Sequence, residues 1–168
     1  NRCRIAQGKS SRDLPLPGLL LRVASRRLKF LLRNGWIYYQ SSFYYMSNEG
    51  KNWAESRKDC QKRGADLIII NNREEQDFVN KITAKRDFWI GLTDSDVEGR
   101  WKWVDGSTLT SGFWASRGQT KEPNGGTQEN CAVSYLKNHP RLIEWLDVKR
   151  NDAYQWICEK NILPLIQP

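Results

Sequence analysis

The chain has 168 residues, 39% of them hydrophobic, and eight Trp, which is enough for one folded domain and too aromatic for a disordered tail. The net charge of +8 suggests a nucleic-acid partner, yet residues 1–35 hold nine Lys/Arg against one acid, Asp13, and the remaining 18 bases and 18 acids cancel. The domain proper is neutral, so nucleic-acid binding is not expected.

Residues 1–34 read as an atypical basic leader, poorly ordered. Within it Arg22, Arg26, Lys29 and Arg33 recur at helical spacing, with Leu20, Ala24, Leu28 and Leu31 on another side. The alternative is a short basic amphipathic helix that lies on a membrane surface or forms a stalk. "LPLPGLLL" carries two prolines and follows a basic, polar segment, so it does not read as a signal peptide. No apolar run approaches the ~20 residues that span a bilayer, so any membrane anchor is expected outside these residues.

From Gly35 the pattern sharpens. "WIYYQSSFYYMS" reads as strand, broken at Ser-Ser. "NWAESRKDCQKRG" reads as a helix with Asn52 as cap, Glu55 three residues on and Gly64 at its end. Trp53 and Cys60, seven apart, share a side. "ADLIII" reads as a short buried strand, and "NREEQDFVNKIT" as a second helix capped by Asn72 with Glu75. "FWIGLTD" and "WKWVDGS" read as strands joined by an acidic turn. Leu109–Asn130 is long, polar and poor in periodicity, which marks a functional or a disordered loop. "CAVSYL" and "YQWICEK" close the fold. The order gives an α+β class.

The cysteines are Cys3, Cys60, Cys131 and Cys158, with no C-x-x-C pair and a single histidine, His139. A structural zinc site lacks ligands, and disulfides in an oxidising compartment are favoured. Trp89, Trp101, Trp103, Trp114 and Trp145 are expected in the core rather than in a stacking platform. His139 sits before Pro140 in a polar turn, away from any nucleophile, and catalysis is not expected.

These stretches resemble a C-type lectin domain over residues 35–160, with 161–168 as a tail. The resemblance rests on the strand "WIYYQSSFYYMS", the helix carrying Cys60, the "WIGL" of Trp89–Leu92, "EPN" at Glu122–Asn124 and the closing "WICEK". It is nearest to the type II receptor group of these lectins. It implies a Cys60–Cys158 disulfide and an α+β lectin-like fold with two helices, small antiparallel sheets and a long irregular loop region. Cys131 matches one half of the family's second disulfide, but the position of its mate, eight residues before Cys158, holds Arg150. Cys131 is then free, or paired with Cys3 or with another chain.

The resemblance also implies a calcium ion that binds the protein and two sugar hydroxyls together, with no bond made or broken. Calcium takes six to eight oxygens. The matching ligands are Glu122, Asn124, Glu129 and Asp147, and the same residues contact the sugar. The family's W-N-D motif reads Trp145-Leu146-Asp147 here, so one ligand amide is lost. Asp94 and Glu98 match an auxiliary calcium site whose other acids fall at Gly125 and Asn130. Glu-Pro-Asn implies mannose-, fucose- or glucose-type sugars and a cis Pro123 when calcium is bound. The expectation is calcium-dependent binding of glycans or glycoproteins by an extracellular domain, secreted or the ectodomain of a type II membrane protein. The alternative, which Leu146 favours, is a calcium-independent module that binds protein or is inactive.

Overall fold

A computed structural model describes residues 26–84, 86–117, 119–135 and 144–162. Cys3, His139 and most of the leader and C-terminal tail lie outside these residues, as does most of the "KNHPRLIE" segment. The chain separates into two compact units, one running up to Phe43 and resuming at Asn161, the other Tyr44–Lys160.

In the first unit, part of the segment read as a poorly ordered leader is helical, as α1 (Arg26–Arg33). Leu28 and Leu31 are buried on one side of it while Lys29 and Arg33 are exposed, an arrangement that drives helix formation. The chain turns back as Trp36 N donates to Leu31 O (3.2 Å) and enters β1 (Ile37–Tyr39). The break before β2 (Ser42–Met46) falls at Gln40–Ser41, one residue earlier than Ser-Ser, because Gln40 takes the left-handed φ of 50°. Tyr38 packs on Phe43 with ring centroids 5.3 Å apart, and Ile162 N donates to Ser41 O (2.9 Å).

The larger unit holds α2 (Trp53–Lys62) and α3 (Arg73–Thr83). Both start as their sequences require. Asn52 Oδ1 accepts from Glu55 N (2.9 Å) and Asn72 Oδ1 from Glu75 N (2.8 Å). The Glu75 carboxylate in turn accepts from Asn71 N (2.7 Å). Each cap satisfies an otherwise orphaned amide of the first turn. Trp53, Ser56 and Cys60 form the buried face of α2.

The strands of this unit follow as β3 (Asp66–Leu67), β4 (Phe88–Thr93), β5 (Lys102–Trp103), β6 (Ser116–Arg117), β7 (Thr120–Lys121), β8 (Cys131–Tyr135), β9 (Glu144–Val148) and β10 (Gln155–Asn161). The sheet runs β10-β4-β8-β9, with β3 on β10 and β5 on β4. It is mixed, because β10 lies parallel to β4 while β4, β8 and β9 alternate in direction. Only Asp66–Leu67 of "ADLIII" is strand, although Ile68 and Ile70 are buried behind it.

Gly91 of the "WIGL" stretch is required by close approach. A Cβ there would lie 2.8 Å from Leu67 O and 2.9 Å from Val104 Cγ2. Gly91 also ties β3's continuation to β5's through Ile68 O and Val104 N, each at 2.8 Å.

Cys60 and Cys158, 98 positions apart in sequence, form a disulfide with Cα atoms 5.3 Å apart. Cys131 is a free, buried thiol beside Thr93, pushed up to about 11 by burial. The Cys60→Ser/Cys158→Ser variant is expected to lose about 2–5 kcal/mol of stability in urea unfolding, as closing a loop of this length implies.

Candidate functional site

The glycine-rich loop hangs on the edge of β9. Trp145 N donates to Phe113 O (2.6 Å), Ala115 N to Trp145 O (2.9 Å) and Glu122 N to Ala115 O (2.9 Å). These bonds lay Phe113–Ala115 along the strand and Glu122 beyond it. The Trp145 ring is fully buried, and its Nε1 donates to Gln76 Oε1 of α3 (2.6 Å). Trp103, Phe113 and Trp114 meet it edge-on, with centroids 5.5, 5.4 and 5.8 Å away. Trp101, Trp103, Trp114 and Trp145 therefore pack the base of the loop, all buried except the half-buried Trp114, while Trp89 is buried against Tyr154.

Burial alternates along β9, which puts Trp145 and Asp147 on one face and Leu146 on the other. Asp147 is only 4% exposed. Its Oδ1 accepts from Asn124 N (3.1 Å), and its Oδ2 from Asn124 N (3.0 Å) and Gly125 N (2.7 Å). The Glu122–Pro123 bond is cis. A 3-10 turn, Gly126–Gln128, then brings Glu129 back onto Gly125, where any Cβ would collide with the Glu129 side chain.

Glu122, Asn124, Glu129 and Asp147 thus share one neighbourhood. Burial, then a hydrogen bond with Asp147 and its charge, push the Glu122 carboxyl up to about 7, while the Asn124 side chain opposes the shift. Glu129 is raised by burial and then by Asp147. Even so, among the described residues no three His, Cys, Asp or Glu side chains are arranged to hold a metal ion. The bonds give the reason: Asp147 is engaged by two backbone amides and by Glu122, and Glu129 lies against Gly125. Sequence reasoning missed Gly125, whose amide holds Asp147 and whose lack of a side chain admits Glu129. The glycine pair after Glu-Pro-Asn was the available signal.

Asp94 and Glu98 also meet, but around an amide. Asn130 Nδ2 donates to Asp94 Oδ1 (3.1 Å) and Glu98 Oε2 (3.4 Å), and Gly99 N donates to Asp94 Oδ2 (2.8 Å). A neutral donor supplies what a cation would.

The family model for the Lectin C-type domain matches residues 49–160. The chain belongs to the C-type lectin domain family. Among curated relatives, human C-type lectin domain family 4 member E is 44% identical over 128 residues, or 74% of this chain and 56% of that protein. The C-type carbohydrate-recognition domain of cow CD23, solved in the presence of GlcNAc2Man3 oligosaccharide, is 32% identical. It superposes with a TM-score of 0.65 over 76% of this chain and 93% of its own. A calcium-independent type II antifreeze protein is 25% identical, with a TM-score of 0.65 over 76% of this chain and 92% of its own. The chain spans between a quarter and somewhat over half the length of its curated relatives. C-type lectins are carbohydrate-binding proteins and not enzymes, and the family generally binds calcium. No described helix is long and apolar enough to cross a membrane.

The acid cluster has a consequence for the C-type lectin domain free of calcium. A carboxyl that holds its proton more tightly when folded adds stability that is complete below its unfolded value, near 4.5, and is lost as pH rises through about 7. Thermal unfolding in EGTA is therefore expected to show a midpoint that falls between pH 5 and pH 8. Glu122→Gln should flatten that fall.

Proposed function

We propose that this domain binds mannose-, fucose- or glucose-type glycans through a calcium ion held by Glu122, Asn124, Glu129 and Asp147, on an extracellular protein. The observation that carries the reading is the gathering of Glu122 and Glu129 about Asp147, where burial first and Asp147 second keep the Glu122 proton up to about 7. Acids gathered in this way repel one another, and a divalent cation relieves that repulsion while taking the hard oxygens it prefers. Bound there, calcium supplies the coordination that fixes two neighbouring sugar hydroxyls. Glu122 and Asn124 accept from and donate to those hydroxyls. Asp147 holds the Asn124–Gly125 backbone in place from below.

Leu146 removes one oxygen from the set. Strand alternation turns it away from the face of Asp147, so it does not wedge between the carboxylates. This supports a site weakened by one ligand rather than blocked. The oligosaccharide named with the cow CD23 domain contains mannose, which agrees with the sugar class that Glu-Pro-Asn implies.

A calcium-independent reading also has an observation behind it, the engagement of these carboxylates with backbone amides and with each other. Calorimetric titration separates the two. Calcium uptake in the millimolar range, strengthened by mannose, is expected. Glu122→Gln should abolish both without lowering the unfolding midpoint in EGTA. A folded protein that takes up no calcium at millimolar concentration would leave the calcium-independent reading.

A further inference from the structure

A cavity of about 280 Å³ opens beside α2, reached from the end of β4 and the β5 turn. Trp53, Arg57, Thr93, Lys102, Trp103 and Arg150 contribute to its wall, and all lie in the larger unit. None belongs to the calcium set proposed above.

With Asp66 pairing Arg57, the charges around this cavity leave one positive charge over. Its cations are Arg57, Lys102 and Arg150, and its one lining acid is the exposed Asp96. Arg57 is fixed by Asp66, with Nε 3.1 and 3.3 Å and Nη2 3.1 Å from the carboxylate, and Nη2 also donates to Val104 O (2.9 Å). Its Nη1 makes no hydrogen bond among the described residues. Lys102 and Arg150 make no salt bridge among the described residues.

Two of these cations lie against the same indole, that of Trp53. The guanidinium carbons of Arg57 and Arg150 each lie 5.8 Å from its ring centroid. The indole is itself locked, with Nε1 donating to Ile90 O (3.0 Å). Two hydroxyls, Thr93 Oγ1 and Ser95 Oγ, lie on the same wall, 2.8 Å apart.

Like charges held together in a half-closed space call for an oxyanion, and guanidinium groups suit one by geometry as well as charge. The volume lies at the small end of ligand clefts and suits a molecule of about monosaccharide size. We infer that this cavity binds a small polar molecule through a phosphate or sulfate monoester, its oxyanion held by Arg57, Lys102 and Arg150. Arg150 stands where the resemblance places the missing cysteine. The substitution that leaves Cys131 unpaired also brings the third cation.

The test uses the whole chain in EGTA, so that calcium-dependent sugar binding is silent. Galactose 6-sulfate and glucose 6-phosphate are titrated by calorimetry and by amide NMR, with galactose and inorganic sulfate as comparisons. Saturable binding of the esters is expected, with shifts at Lys102, Trp103 and Gly106, and no binding of galactose. Lys102→Gln and Arg150→Gln should each weaken it roughly tenfold, the loss of one charge-assisted contact. Arg150 is exposed and Lys102 half-buried, so both variants should keep the wild-type circular dichroism. Absence of saturable ester binding would overturn the inference. So would undiminished binding by the double variant, or inorganic sulfate binding as tightly as the esters.

Discussion

The candidate sugar site depends on how the edge of β9 is closed. Trp145 offers both its backbone groups outward and its ring inward. The backbone takes Phe113–Ala115, and the ring is pinned by Gln76 and edge-on aromatics. A loop of more than twenty residues is entropically costly to order. Here it is fastened to Trp145, whose backbone and ring are both pinned. Asp147, two residues on and on the same face, inherits that rigidity and passes it to the Asn124–Gly125 backbone.

The strands around this edge are held by packing where covalent closure is absent. Cys131 opposes Val148 in the β8–β9 register, with its thiol buried. Arg150, two residues past Val148, leans over Trp53 instead of bonding to Cys131. A guanidinium on an indole holds less firmly than a disulfide. The β8–β9 ladder of five paired residues therefore carries the connection. The Cys60–Cys158 bond secures α2 to β10 and leaves this part of the sheet to its hydrogen bonds.

The sequence was most readable where structure is local. Asn52 with Glu55 and Asn72 with Glu75 mark both helix starts within four residues each, and "FWIGLT" is strand because five of its six residues are buried. The family resemblance named Glu122, Asn124, Glu129 and Asp147, and they share a neighbourhood. It did not reveal their hydrogen-bond partners. Asp147 bonds to amides that lie more than twenty residues away, a partnership set by tertiary structure. β9 went unread as a strand because Trp145–Asp147 drew attention as a ligand motif. Its alternation, once seen, changes the meaning of Leu146. The helix at Arg26–Arg33 emerged from a segment whose composition suggested disorder, since Leu28 and Leu31 find cover that local pattern alone could not promise.

The position of β10 bears on how the protein is made. Among the described residues it is the last strand, yet it lies inside the sheet, antiparallel to β3 and parallel to β4. On the ribosome, β4 emerges with an unfilled edge and about sixty residues still to come. At ordinary elongation rates that is a wait of roughly 3–12 s. During it the apolar strand "FWIGLT" is exposed to neighbouring nascent chains, and Cys60 has emerged well before Cys158. The larger unit therefore closes only after nearly all of it has been translated, and its yield in the cell rests on whatever shields β4 in the interval.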